Sequence, residues 1–374
     1  MNLVPNEIKE VTAHEMSLEI AAKNPAVKMM DLKTPIYGND PNEIIKHRFL
    51  YRGGICILSG ATGAGKSSFT MQWAINLAGG DSHFGLLVGD CYYRKGMKVI
   101  VIQAENDEGD LAEQRDGVLK VIPPDVIDRA SENLQFITMP DASGESFAVR
   151  LKAICQVHEP DVVFIDPVFS FLGGDNSAQK DVSHFVRNLL MPVLMEHKVA
   201  AILMHHVNKP KAKKDQVESG SYHMAGSAEW ANAARCALSI ECVGDGVFAL
   251  TATKRGDRLW WRDSEDNKCL KRYIAHHGGL DDDGRPIIAW RDAEADEIPD
   301  DAEGRKGGKV TVKDVVRSIP KDGSITSGDL LEAVMRLTDA SKSAVRERMS
   351  EALQLELLEV MKVGRTAYYS EKVK

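Results

Sequence analysis

No apolar run in this chain approaches the roughly 20 residues needed to cross a bilayer. The opening MNLVPNEIKE carries acids where an export signal would be basic and then apolar. Neither membrane insertion nor secretion is expected, and a cytoplasmic location is the reading. Cysteine is scarce and scattered: Cys56, Cys91, Cys155, Cys236, Cys242 and Cys269 form no CxxC pair. That excludes a disulfide framework or zinc cluster as the organising device and predicts reduced, mostly buried thiols. Surplus positive charge is missing too, because the net charge is −8. A protein coated in basic residues is excluded, so any nucleic-acid contact must be concentrated in a local loop or pore. No internal repeat is visible. The rest is ordinary globular composition, 43% hydrophobic and 27% charged. At 374 residues, the chain exceeds one core of roughly 250 residues, and a main domain with a smaller one at an end is expected.

The organisation follows from hydrophobic patterning. Residues 1–48 read as an N-terminal arm with two helix-start signatures, Thr12 with Glu15 in capping-box spacing and Asp40-Pro41-Asn42-Glu43 before IIKHRF. Within 49–291, the runs ICILSG, MKVIVIQ, LQFITM, DVVFID, VAAILMH and CALSIE recur with helical segments between them. Continuous apolar strands spaced by helices predict an α/β fold with a mainly parallel sheet covered on both faces. From Val247 to Trp290 the pattern shifts to antiparallel strands extending that sheet. Residues 292–308 are acidic, then glycine-rich, and read as a linker. Residues 309–374 show three amphipathic helical patterns and a hairpin turning at Gly364. That is the pattern of a small winged helix-turn-helix domain. Thr326 and Asp329 supply cap residues for its second helix, and Ser341 or Ser343 for the third.

The strongest motif is Gly60-Ala61-Thr62-Gly63-Ala64-Gly65-Lys66-Ser67, with Ser68 continuing into the helix. An apolar strand precedes it and a helix ending at Gly79-Gly80 follows, which is the context a P-loop requires. Side-chain-poor residues let backbone N–H groups converge on phosphates, and the helix amino terminus adds its dipole. Lys66 supplies a mobile cation, and the Ser67 hydroxyl can ligand Mg²⁺. A dinucleotide fingerprint fits Gly63 and Gly65 but has Ser68 at its third position and no acid ending a strand at the expected spacing.

Hydrolysis needs more than a phosphate cradle. Asp166 closes DVVFID, where an acid at a buried strand's end can hold a Mg²⁺ shell. Glu105 comes first after VIVIQA and is the expected general base, whereas Asp107 and Glu108 suit a cap for the next helix. His205 and His206 end the strand AAILMHHV, where a polar group can sense a γ-phosphate. The segment that follows holds Lys209, Lys211, Lys213 and Lys214, placed to line a pore and touch nucleic-acid phosphates, or simply a solvated charge run.

In this order, GATGAGKSS, Glu105, FIDPVFSFLGGDNS, LMHHVNK and AGSAEWANAARCALSIE resemble the hexameric RecA-like ATPases, and most closely the RepA-type replicative helicases of plasmids and phages. The resemblance covers roughly residues 48 to 260. It implies ATP and Mg²⁺ as cofactors, single-stranded DNA as partner and a homo-oligomer, with a hexamer expected. It favours His206 over His205 as the γ-phosphate sensor. It also implies a cation reaching into the neighbouring subunit's site: Arg235, or Lys254 with Arg255 in TKRGDR. The winged helix is an addition to the family's minimal pattern. Its Lys342, Arg346 and Arg348, with Lys362 and Arg365 in the wing, are placed to meet duplex DNA, although Glu347, Glu351 and Glu356 dilute that face. The same fold can dock a replication protein instead. The expected activity is an ATP-driven, ring-forming DNA helicase. The alternative is an ATP-regulated DNA-binding protein, a helicase loader, recombination mediator or winged-helix regulator, without unwinding activity.

Overall fold

The computed structural model describes residues 26–36, 39–207, 228–244, 246–263, 266–299, 310–320, 323–338, 340–355, 357–363 and 366–372, with the isolated positions 18 and 22. Two short strands open the body, β1 (Glu43–Ile45) and β2 (Leu50–Tyr51), paired antiparallel. The sequence reading puts this stretch in an arm and starts a helix at Asp40-Pro41-Asn42-Glu43; both expectations fail here. Asp40 Oδ1 accepts the Asn42 N–H at 2.9 Å, an Asx turn rather than a helix cap. The β-branched Ile44 and Ile45 are fully buried in the main core. Thr12 and Glu15 lie outside the described residues.

The chain then alternates strand and helix. β3 (Ile55–Ala61) leads into α1 (Lys66–Gly79), which stops at the left-handed Gly80. β4 (Val99–Gln103), α2 (Glu108–Leu119), α3 (Pro124–Asn133), β5 (Leu134–Thr138), α4 (Gly144–His158) and β6 (Val162–Asp166) follow. After these come α5 (Gln179–Ser183), a π-helical turn (His184–Leu190), α6 (Met191–His197), β7 (Ala200–Val207), α7 (Glu229–Ala233), β8 (Cys236–Gly244), β9 (Val247–Lys254), β10 (Lys271–His276) and β11 (Trp290–Asp292). These strands make one nine-stranded sheet in the order β11-β10-β9-β8-β3-β7-β6-β4-β5. β3 to β8 pair parallel, and β9, β10 and β11 extend the β8 edge antiparallel. The arrangement fits a RecA-like P-loop core.

The reason the strands read as unbroken apolar runs is visible in the packing. Leu58, Val101, Phe164 and Ile202 face one core with Phe69 and Trp73 of α1, while Ile57, Ile102, Ile165 and Leu203 face another with Phe147 and Leu151 of α4. Alternate residues thus serve opposite faces, and both faces are covered. Parallel strands place all their carboxyl ends at one rim, so the loops carrying the candidate site residues gather there.

The body also runs past the expected linker boundary. Asp292 pairs within β11, the Ala293 N–H donates to the Tyr273 carbonyl, and Arg291 forms an ion pair with Glu297. Acidic composition alone hides this, because the pairing comes from backbone groups. Beyond position 309, α8 (Val312–Arg317), β12 (Ile325–Thr326), α9 (Ser327–Thr338), α10 (Lys342–Gln354), β13 (Leu358–Val363) and β14 (Thr366–Glu371) surround their own core of Val315, Leu330, Val334, Val345 and Met349. The strands pair antiparallel in the order β12-β14-β13. Thr326 Oγ1 accepts the Asp329 N–H, and Ser341, not Ser343, caps α10.

Candidate nucleotide site

Between β3 and α1 the backbone turns through left-handed Gly63 and Gly65, conformations that favour glycine. Thr62, Gly63 and Ser67 are exposed, whereas Lys66 is only 6% exposed. The Lys66 ammonium donates to the carbonyls of Gly60 and Ala61, each at 2.8 Å. It is thus folded back along the loop on carbonyls that a phosphate oxygen can replace. Burial lowers its pKa, and the nearby Asp166 carboxylate opposes that shift.

Asp166 ends β6, in register with Gln103 at the end of β4. Burial raises its pKa to about 6, the Glu105 charge adds to the rise, and Lys66 pulls it back. Ser67 and Asp166 line one small cavity with Gln103 and Asn106. A hydroxyl and a desolvated carboxylate lining the same cavity beside a buried lysine suit a divalent ion arriving with nucleotide phosphates. Among the described residues there is no cluster of three or more His, Cys, Asp and Glu, so such an ion would take its other oxygens from phosphate and water.

The two strand-end histidines occupy different environments. His206 is level with Gly60 in the β3–β7 register, and its ring is 5.4 Å from Phe169 in the segment after Asp166. Burial lowers its pKa, and the charges of Lys66 and Glu105 both act on it. His205 is 1% exposed and lies edge-on to Trp230 at 5.2 Å, and burial lowers its pKa to about 4. Lys66, Asp166, Glu105 and His206 are therefore electrostatically coupled, and His205 is a neutral core residue.

A scan of protein-family models matches the description "AAA domain" over residues 22–212. The chain belongs to the AAA-domain family. Membership supports an ATPase and a nucleotide-binding site that typically works with Mg²⁺. Among solved structures, one titled as the crystal structure of the RadB recombinase is similar over 65% of this chain and 92% of that chain, at 12% identity and a TM-score of 0.40. No curated protein matches.

Within the AAA-domain chain, the other candidate cations lie elsewhere. Arg235 immediately precedes β8, whose Cys236 pairs with Cys56 near the start of β3. Six residue steps of strand run from Ile55 to Ala61, so roughly 20 Å of sheet lies between Arg235 and the loop of the same chain. Arg235 is exposed, and its guanidinium sits 5.4 Å from the Tyr51 ring, which also carries Arg48 at 4.9 Å. Lys254 and Arg255 reach the same rim from the end of β9. The Lys254 ammonium caps α7 by donating to the carbonyls of Ala231 at 2.7 Å and Ala234 at 2.6 Å. Arg255 has one buried guanidinium nitrogen without a hydrogen-bond partner, and burial with Arg258 and Arg235 lowers its pKa. Lys209, Lys211, Lys213, Lys214 and Arg365 lie outside the described residues. Lys342 and Arg346 are exposed on α10, while Arg348 is engaged by Glu347 and Glu351.

Sequence reading missed Gln103, although it sits two positions before Glu105. Its side-chain carbonyl accepts the N–H groups of Glu105 at 3.0 Å and Asn106 at 2.7 Å, while its amide nitrogen donates to the Asn106 carbonyl and to Thr138 Oγ1. A glutamine closing a hydrophobic strand gives one signal: a buried polar side chain there needs partners.

Proposed function

We propose that this chain is an ATP-hydrolysing, ring-forming DNA motor, a replicative or mobile-element helicase that translocates on single-stranded DNA. The observation carrying this reading is that the candidate site residues stand at opposite ends of the sheet. Phosphate-loop residues, Asp166, Glu105 and His206 gather at the carboxyl rim, while Arg235 and Arg255 stand at the amino rim. A chain so built completes its site head to tail with another copy, and a heterologous contact of that kind closes into a ring when its rotation permits. A hexamer is the proposed closure.

In this reading, Gly60 to Ser68 cradle the phosphates and Lys66 leaves its loop carbonyls to pair with them. Ser67 and Asp166 would hold Mg²⁺, which would supply positive charge against that of the phosphates. Glu105 polarises the attacking water. His206 reports the terminal phosphate to the lysine-bearing segment after β7, whose Lys209, Lys211, Lys213 and Lys214 grip the strand. Arg235, or Lys254 with Arg255, stabilises charge developing at the neighbour's transferred phosphoryl group, which ties hydrolysis to assembly. The C-terminal domain, read as a winged helix, meets duplex DNA or a replication protein through Lys342, Arg346 and Arg365.

The independent core of the C-terminal unit favours the second reading, an ATP-controlled DNA-binding loader, mediator or regulator. Strand displacement from a tailed duplex separates the two. Displacement that needs ATP and an intact Lys66 supports the motor. DNA-stimulated hydrolysis without displacement at confirmed assembly replaces it with the second reading.

A further inference from the structure

The antiparallel extension does more than widen the sheet, because its last two strands press an aromatic pair against the phosphate loop. Trp290 of β11 is buried and donates from Nε1 to Ser68 Oγ at 2.9 Å. Gln72 of α1 holds the Trp290 backbone from both sides, accepting its N–H at 2.7 Å and donating to its carbonyl at 3.0 Å. His276 of β10 packs on Trp290 with ring centroids 3.9 Å apart. A Cβ added to Gly65 would lie 2.5 Å from Trp290 Cζ2 and 3.1 Å from both Cε1 and Nε2 of His276. The imidazole edge therefore abuts the loop directly before Lys66. Unlike Trp290, His276 is only half-buried.

Directly after His276 the chain turns into open space. Gly278 and Gly279 have no heavy atom within 4 Å of an added Cβ. The connection is tied instead to the end of α2, through the Ile288 N–H to the Gly117 carbonyl at 3.2 Å and the Lys120–Asp281 ion pair at 3.3 Å. Phosphates drawn to the amino end of α1 must leave their sugar on some flank of the loop. The flank beside Gly65 and Ser68 offers a half-open polar ring on a rigid backing, whereas the opposite flank carries the Asp166 carboxylate with the charge of Glu105 acting on it. Burial lowers the His276 pKa, with the Ile288 backbone opposing, so the ring is a neutral group near pH 7 and suits a hydroxyl better than a phosphate.

We propose that a ring nitrogen of His276, braced by Trp290, hydrogen-bonds the ribose of the bound nucleoside triphosphate and so distinguishes a nucleotide from a bare phosphate chain. This rests on the phosphate loop holding ATP. Titration calorimetry with Mg²⁺-ATP and with Mg²⁺-tripolyphosphate tests it, using wild type, His276→Phe, His276→Ala and Lys66→Ala. His276→Phe keeps a ring against Trp290 but has no nitrogen, and it guards against a packing artefact in the alanine variant. The expected result is a loss of ATP affinity of about 10-fold in both His276 variants, with tripolyphosphate affinity unchanged within about 2-fold. Equal ATP binding by His276→Phe and wild type, or equal loss of both ligands, overturns the ribose contact while leaving the phosphate loop's role intact. Wild type binding neither ligand overturns the contact and the ATP reading together, and Lys66→Ala sets the scale of that failure.

Discussion

The side-chain carbonyl of Gln103 accepts the backbone N–H of Glu105 at 3.0 Å, two residues further along the same turn. The same oxygen also takes the Asn106 N–H, so a single buried amide fixes the backbone from which the proposed general base projects. Gln103→Ala is expected to slow ATP turnover about 10-fold while ATP affinity changes little, because a shifted base costs only the transition state. A double-mutant cycle with Glu105→Gln checks the mechanism. The two losses should be strongly non-additive if Gln103 acts through Glu105, and full additivity would count against it.

Glu105→Gln alone should retain ATP binding and reduce turnover at least ~100-fold. Steady-state hydrolysis beside equilibrium binding measures both. Near-normal turnover removes Glu105 from the role of base.

Asp166 gives a pH dependence with a definite sign. Its native pKa lies at about 6, above the roughly 3.9 of an unfolded aspartate. Between those values the native state binds more protons than the unfolded one, so this group's contribution to stability falls as pH rises from about 4 to about 6 and is flat beyond. A cation needs the ionised carboxylate, so Mg²⁺-dependent nucleotide affinity should run the other way, weakening as pH drops through about 6. Chemical denaturation and Mg²⁺-ATP titrations at pH 5 and 7.5 check the two slopes. Asp166→Asn should flatten both.

Arg235, Lys254 and Arg255 share a rim but are held differently. Lys254→Ala removes two hydrogen bonds from an ammonium to the end of α7 and should cost on the order of 2 kcal/mol of stability, seen as a lower denaturation midpoint. Arg235→Ala and Arg255→Ala should leave the midpoint nearly unchanged. If either arginine works on a neighbour, mixing its alanine variant with Lys66→Ala subunits restores hydrolysis at mixed interfaces. No restoration from either mixture, at confirmed assembly, removes the shared site.

His205 supplies an acid-side stability prediction. Its native pKa of about 4 lies below an unfolded histidine's roughly 6.5. Its contribution is therefore complete above about 6.5 and is lost as pH falls towards 4. His205→Phe should reduce the acid sensitivity between those limits, measured by thermal denaturation across pH. Unchanged sensitivity would assign the loss to other groups, such as the fully buried His83.

The sequence by itself determined the strand–loop–helix at Gly60 to Ser68, the parallel strands, the antiparallel extension and the acid at the end of β6. Each is a local pattern: glycines where the backbone needs left-handed angles, apolar runs where two faces are covered, a charge where a run stops. Tertiary structure decided what local pattern cannot hold. Ile44 and Ile45 join the core because a turn at Asp40 folds them back onto it, and the acidic stretch from Asp292 stays with the sheet through backbone pairing at Asp292 and Ala293 and the Arg291–Glu297 ion pair, which composition does not encode. The separate environments of His205 and His206 follow from strand pleat and from Trp230, a residue 25 positions away. Gln103 and the Trp290–His276 pair act across the strand order β11-β10-β9-β8-β3 and the β4–β6 pairing. Hydrogen bonds and ring contacts between residues as far apart as Ser68 and Trp290 depend on register, which only the assembled sheet sets.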